Sequence, residues 1–250
     1  GRVGMYGFSY QAVTQLLALA GALDSGGPKP AALCPAMMGW DVFSDWAYEG
    51  GALCLYGGMS WALQMGAERA RLAGDVAAYS AMLAAAKSLP LYEERMAWPS
   101  VLQHFAHYTH YGDWIGNPAQ CGYWDRIAPK AALAGRTGDV PMLHVGGWYD
   151  KMLDGTLGAW QAMAAASAPQ RLIVGPWGHI PWGRRAGIVD FGAQASSPIS
   201  ALRRLSARAS ASARVARRGP MALRTSAGSV ASRPRSKHQR ARPSQASRAN

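Results

Sequence analysis

Three side chains far apart in the chain have the types that acyl-transfer chemistry needs: a hydroxyl at Ser9, a carboxylate at Asp150 and an imidazole at His179. Ser9 stands in Gly7-Phe8-Ser9-Tyr10-Gln11, a Gly-x-Ser turn between an apolar run and a helical pattern. A nucleophile on such a strained strand-to-helix turn needs small residues where the two backbones approach. Gly7 meets the need on one side; on the other the usual final glycine is replaced by Gln11, which leaves Ala12 as the small residue. The helix that begins here directs backbone N–H groups at the site, and the Tyr10 amide is placed to donate to a developing oxyanion. Asp150 closes Gly146-Gly147-Trp148-Tyr149-Asp150, and His179 closes Gly175-Pro176-Trp177-Gly178-His179. Taken alone, each has a plainer reading: a turn serine, a helix-capping aspartate, a structural histidine.

The elements that must position these groups change the balance. Val3–Gly7 reads as a strand entering a glycine turn, and Gln11–Leu23 places apolar residues at helical spacing. Gly26-Gly27-Pro28 ends that helix, and residues 31–37 form a short apolar run suited to a buried parallel strand. Residues 141–146 and 170–175 are similar runs, separated by a helical pattern from Asp154 to Ala166. Each candidate therefore follows a strand, and in doubly wound sheets functional groups gather at the carboxyl ends of strands. The order Ser, Asp, His is that of α/β-hydrolases. The long gap between Ser9 and Asp150 fits an inserted helical cap, with helices expected over 61–72 and 76–87; the short gap from Asp150 to His179 fits one helix and one strand. The predicted fold is α/β: an α/β-hydrolase core over residues 1–39 and 139–195, mostly a parallel doubly wound sheet, with a helical cap over 40–138.

The segments GRVGMYGFSYQAVTQ, VGGWYDKMLDGTL and LIVGPWGHIPWGR resemble the three catalytic blocks of the CocE/NonD family of hydrolases, over about residues 1–195. The resemblance implies Ser9 as nucleophile, Asp150 as acid, His179 as base and the Tyr10 amide as half of an oxyanion hole. It implies hydrolysis of carboxylic esters or amides through an acyl-enzyme, with X-Pro dipeptidyl-peptidase activity as the alternative and no cofactor. The family's second oxyanion donor, usually a tyrosine hydroxyl from strands upstream of the elbow, and its C-terminal jelly roll are both expected to lie outside this sequence. A catalytically dead domain is the rival reading that follows from those departures, and an acyltransferase using the same three residues is a further one. Members acting on α-amino esters carry an acidic residue close behind the nucleophile, where this chain has Gln11 and Ala12; that branch is disfavoured.

Trp148 and Trp177, which flank the acid and the base, are candidate pocket residues, as are Tyr111 and Trp114 within an aromatic stretch from Phe105 to Trp124. Core packing is the other reading open to them. His104, His107 and His110 recur every third residue, but steps of three drift around a helix and no carboxylate stands at ligand spacing, so no metal site is expected. Cys34, Cys54 and Cys121 are too few and too scattered for a disulfide framework.

The net charge of +12 is confined to one end: residues 1–195 carry 13 of the 26 Lys and Arg and all 14 Asp and Glu. From residue 196 the sequence is Arg, Ser, Ala and Pro without aromatic or acidic residues, so a disordered tail is expected, with an out-of-frame reading of a G+C-rich gene as one origin. Any nucleic-acid contact by such a tail would be electrostatic and non-specific. No apolar run reaches the roughly 20 residues that span a bilayer. The expected partner is a small ester or amide, with neither specific nucleic acid nor membrane, and the expected location is the cytoplasm.

Overall fold

The computed structural model describes residues 2–180 and 182–196; the expected basic tail lies, beyond Ser196, outside the described residues. Strand β1 (Gly4–Phe8) leads into helix α1 (Tyr10–Ser25), which ends at Gly26 in the left-handed conformation, φ 65°. Glycine adopts this conformation without the steric penalty of a Cβ. One face of α1 (Ala12, Val13, Leu16, Leu19 and Ala20) is buried, and each fully buried leucine contributes roughly 1.5–3 kcal/mol. Strand β2 (Ala32–Ala36) is buried throughout, as a central parallel strand with a continuous apolar run should be.

After the cap the sheet resumes with β3 (Met142–Tyr149), helix α4 (Leu153–Met163) and β4 (Gln170–Gly178). All pairings in this sheet are parallel, in the order β1-β2-β3-β4. Pro35 in β2 has no N–H to donate, and the β2–β3 register passes over it: Leu33 faces Met142 and Ala36 faces Val145.

The segment between β2 and β3 contains a π-helical turn (Phe43–Ala47), a hairpin of two-residue strands, long helices α2 (Leu55–Ala73) and α3 (Val76–Lys87), four short α-helices and one 3-10 turn (Ala106–Tyr108). Asp75 caps α3 by accepting from the Ala78 N–H at 2.9 Å. Two buried clusters organise this region. Met59, Leu63, Met82, Leu102 and Tyr111 form a core between the cap helices. Trp40, Trp46, Tyr48, Trp114 and Trp124 pack in one core with α1 and β2. The opposite face of the sheet buries Cys34, Met37, Leu143, Val145 and Trp177. Among the described residues no helix is long and apolar enough to cross a membrane.

Candidate active site

Ser9 occupies the single residue between β1 and α1 and has φ 57° and ψ −131°, on the positive side of φ that a side chain rarely adopts. Such backbone strain costs on the order of 1–3 kcal/mol and persists only where the surroundings enforce it. They do so here: the Ser9 N–H donates to the Ala36 carbonyl at 2.9 Å and the Met37 carbonyl at 3.1 Å, at the carboxyl end of β2. A Cβ built on Gly7 would lie 2.7 Å from the Gln11 Cβ, so glycine is required where strand and helix approach. Ala12 is fully buried on the other side of the turn.

Gln15 ties these pieces together, a role the sequence reading did not assign. Its buried amide nitrogen donates to the Gly7 carbonyl at 3.3 Å and the Gln11 carbonyl at 3.1 Å, while its oxygen accepts from the Cys34 N–H at 3.2 Å. The available signal was a polar side chain on the apolar face of α1.

Asp150 follows β3, whose register with β4 shifts between Gly147 and Tyr149. A bulge of this kind re-aims the residues beyond it. The Asp150 carboxylate is buried, and its Oδ1 accepts from the Met152 N–H at 3.1 Å. His179 follows β4. Its ring packs against Phe8 with centroids 5.8 Å apart, and its carbonyl accepts from the Trp182 indole at 2.9 Å.

The three side chains meet in a row. His179 Nδ1 lies 3.0 Å from Asp150 Oδ1, and His179 Nε2 lies 3.0 Å from Ser9 Oγ. An ionised carboxylate only accepts, so with the proton on Nδ1 the Nε2 lone pair faces the Ser9 hydroxyl as an acceptor. The Tyr10 amide opens α1, where the first N–H groups have no partner within the helix.

Ser9 and His179 open onto a cavity of about 1010 Å³. Its other wall is one face of α2, formed by Gly57, Ser60, Trp61, Gln64 and Met65 at helical spacing, with Tyr56 and Trp46 beside it. A groove of about 1030 Å³ between Val3, Lys29, Asp139 and Pro169 lies at the amino ends of the strands, away from this chemistry.

The four expected pocket aromatics are not in the cavity wall, and each placement has a physical reason. Tyr111 is fully buried in the cap core, stacked on Trp98 at 5.9 Å, and burial pushes its phenol up to about 12. Trp114 is buried against Trp46 and Trp124. Trp177 lies under the sheet, stacked on Trp182 at 6.0 Å. Trp148 is 65% exposed where β3 leaves the sheet. Of the three histidines, His104 packs on Phe105, His107 on Tyr108 and His110 on Trp114.

A family model described as X-Pro dipeptidyl-peptidase (S15 family) matches residues 1–181. The chain is 30% identical over 215 residues to the cocaine esterase of Rhodococcus sp. (strain MB1 Bresler), a match covering 80% of this chain and 35% of that protein. A solved aminopeptidase from the marine sediment archaeon Thaumarchaeota archaeon superposes with a TM-score of 0.52 at 18% identity, covering 77% of this chain and 32% of that one. A selenomethionine-labelled α-amino acid ester hydrolase gives a TM-score of 0.48 at 19% identity, with 78% and 32% covered. The chain thus spans about a third of the length of these relatives.

Proposed function

The chain belongs to the X-Pro dipeptidyl-peptidase (S15) family, and on that premise we propose that it is a serine hydrolase cleaving carboxylic esters or amides through an acyl-enzyme. The observation that carries this reading is the hydrogen-bonded row from Ser9 Oγ through the His179 ring to Asp150, with 3.0 Å at each contact. In the proposed reaction His179 Nε2 takes the Ser9 proton as Oγ attacks the carbonyl carbon, and the oxygen of the tetrahedral intermediate accepts from the Tyr10 N–H. Collapse expels the alcohol or amine, which takes the proton from His179. Water, deprotonated by the same nitrogen, then attacks the acyl-Ser9 ester and releases the acid. Asp150 holds the Nδ1–H tautomer throughout and stabilises the imidazolium.

Esters and amides without a free ammonium are favoured over X-Pro peptides as substrates. A peptide amino terminus needs an anionic partner, and among the described residues lining the cavity there is no carboxylate. A small-molecule substrate fits this cavity, and a cytoplasmic setting fits three unpaired cysteines.

The test is reaction with a fluorophosphonate probe alongside hydrolysis of 4-nitrophenyl butyrate. Both are expected in the unmodified chain and absent after Ser9→Ala. Labelling that survives this substitution rejects Ser9, and absence of both activities in the folded parent chain supports the inactive-domain reading.

A further inference from the structure

Lys151 is the only Lys or Arg among the described residues that line the cavity shared by Ser9 and His179. It follows Asp150 directly, and two groups from the cap side hold it. Its Nζ donates to the Trp46 carbonyl at 2.9 Å and to Cys54 Sγ at 2.8 Å. Among the described residues it forms no ion pair with a carboxylate. An ammonium carries three N–H donors, so the two held by Trp46 and Cys54 leave the third for a ligand. Fixing a long side chain in advance removes part of the entropy that binding would otherwise cost. The rest of the wall is aromatic or neutral: Trp46 and Trp61 lie 5.7 Å apart, Tyr10 lies 6.2 Å from Trp61, and Ser60, Gln11 and Gln64 supply uncharged polar groups.

From this lining we infer that the preferred substrates are esters carrying a second, anionic group, a carboxylate some atoms from the scissile carbonyl, which pairs with Lys151 while the intervening chain lies along Trp46 and Trp61. The inference rests on the hydrolase reading above and specifies its substrate class. Charge-assisted hydrogen bonds to a fixed donor are the stronger kind. A cation with no carboxylate among the other described residues lining the cavity also repels an ammonium-bearing substrate, so the same residue selects by attraction and by exclusion.

Matched ester pairs differing only in charge provide the test. Mono(4-nitrophenyl) adipate is compared with its methyl ester for a carboxylate on the acyl side, and 4-acetoxybenzoate with methyl 4-acetoxybenzoate for one on the leaving side. In at least one pair the anionic member is expected to have the higher kcat/KM, by about 10-fold, consistent with one charge-assisted hydrogen bond. The ratio should shrink as KCl rises, because salt screens an exposed pair. Lys151→Met should bring the ratio near unity and Lys151→Arg should largely retain it. Because the anionic and neutral rates come from the same sample, partial misfolding of a variant cancels. The substrate inference is overturned by a parent enzyme that takes up the serine probe and hydrolyses the neutral esters without favouring either anionic one, or by a preference unchanged by both KCl and Lys151→Met. A parent chain with neither labelling nor hydrolysis instead overturns the hydrolase reading, and this inference falls with it.

Discussion

Asp150 and His179 share a single contact, Oδ1 to Nδ1 at 3.0 Å, and the same Oδ1 accepts the Met152 N–H. The carboxylate is thereby fixed by its own loop before it orients the imidazole. Asp150→Asn keeps the shape but offers an amide, which favours a rotated ring or the wrong tautomer. The expected result is a fall in kcat of about 10³- to 10⁴-fold with little change in KM. Steady-state kinetics with 4-nitrophenyl butyrate, alongside an unchanged circular dichroism spectrum, would check it; a loss under 10-fold would deny Asp150 this role.

The bulge ahead of Asp150 depends on Gly147. A Cβ there would lie 2.2 Å from the Trp177 carbonyl oxygen, a backbone atom with no rotamer to change. Gly147→Ala must therefore push β3 and β4 apart where they lead into Asp150 and His179. A loss of about 1–3 kcal/mol in unfolding free energy is expected. Activity should also fall well below the parent level at temperatures where the variant remains folded. Denaturant melts and kinetics at 15 °C separate the two effects.

The placement of Ser9, Asp150 and His179 was legible in the sequence because each follows a short apolar run, and strand ends are where a parallel sheet presents polar groups together. Helix α3 was legible at both ends: the helical run expected over 76–87 is the observed Val76–Lys87. The cavity wall was not legible. Trp61 lines it and Trp114 is buried beside it, yet both sit in helical, aromatic-rich stretches, and only the packing of the cap on the sheet distinguishes them. Lys151 escaped notice because its partners, Trp46 and Cys54, are remote in the chain, and Gln15 because the Cys34 N–H that it satisfies lies on the neighbouring strand.

Gln15 offers a way to disturb the turn at Ser9 without touching any of the three proposed reacting groups. Gln15→Leu removes the donor to the Gly7 carbonyl and the acceptor for the Cys34 N–H, leaving buried backbone groups short of a partner. An unsatisfied buried group costs about 1–3 kcal/mol. The variant should lose stability in that range and be labelled by the fluorophosphonate more slowly. Gln15→Glu keeps an acceptor for Cys34, so it should recover part of the stability and less of the labelling rate. Equal labelling rates in all three proteins would show that the brace does not position Ser9.

Stability should fall in mild acid through His144, which is buried in β3 with Nε2 3.2 Å from Gln170 Oε1. Burial pushes this imidazole down to about 4, against an ordinary value near 6.5. In the unfolded chain it takes up a proton below about pH 6.5, whereas in the folded protein it resists protonation until about 4. The stability it contributes is present above the unfolded value and is lost as pH falls across that window. Between pH 7.5 and 4.5 the loss from this group is on the order of 2–3 kcal/mol. Urea melts at those two pH values should record it, and a folded His144→Gln variant should show a shallower slope.

The strained serine predicts a trade between stability and chemistry. At φ 57° and ψ −131° Ser9 holds a conformation that any residue with a Cβ enters at a cost, and alanine would pay it as serine does. Glycine enters it freely but loses more entropy on ordering, roughly 0.5–1 kcal/mol. Relief of strain is the larger effect, so Ser9→Gly should be more stable than Ser9→Ala by about 1 kcal/mol. Neither variant should turn over an ester, so the comparison isolates the backbone from the reaction. Thermal melts of the two purified variants decide the matter. A Ser9→Ala protein that melts at or above Ser9→Gly would mean that the turn is relaxed around residue 9 and that the carbonyls of Ala36 and Met37 do not force its shape.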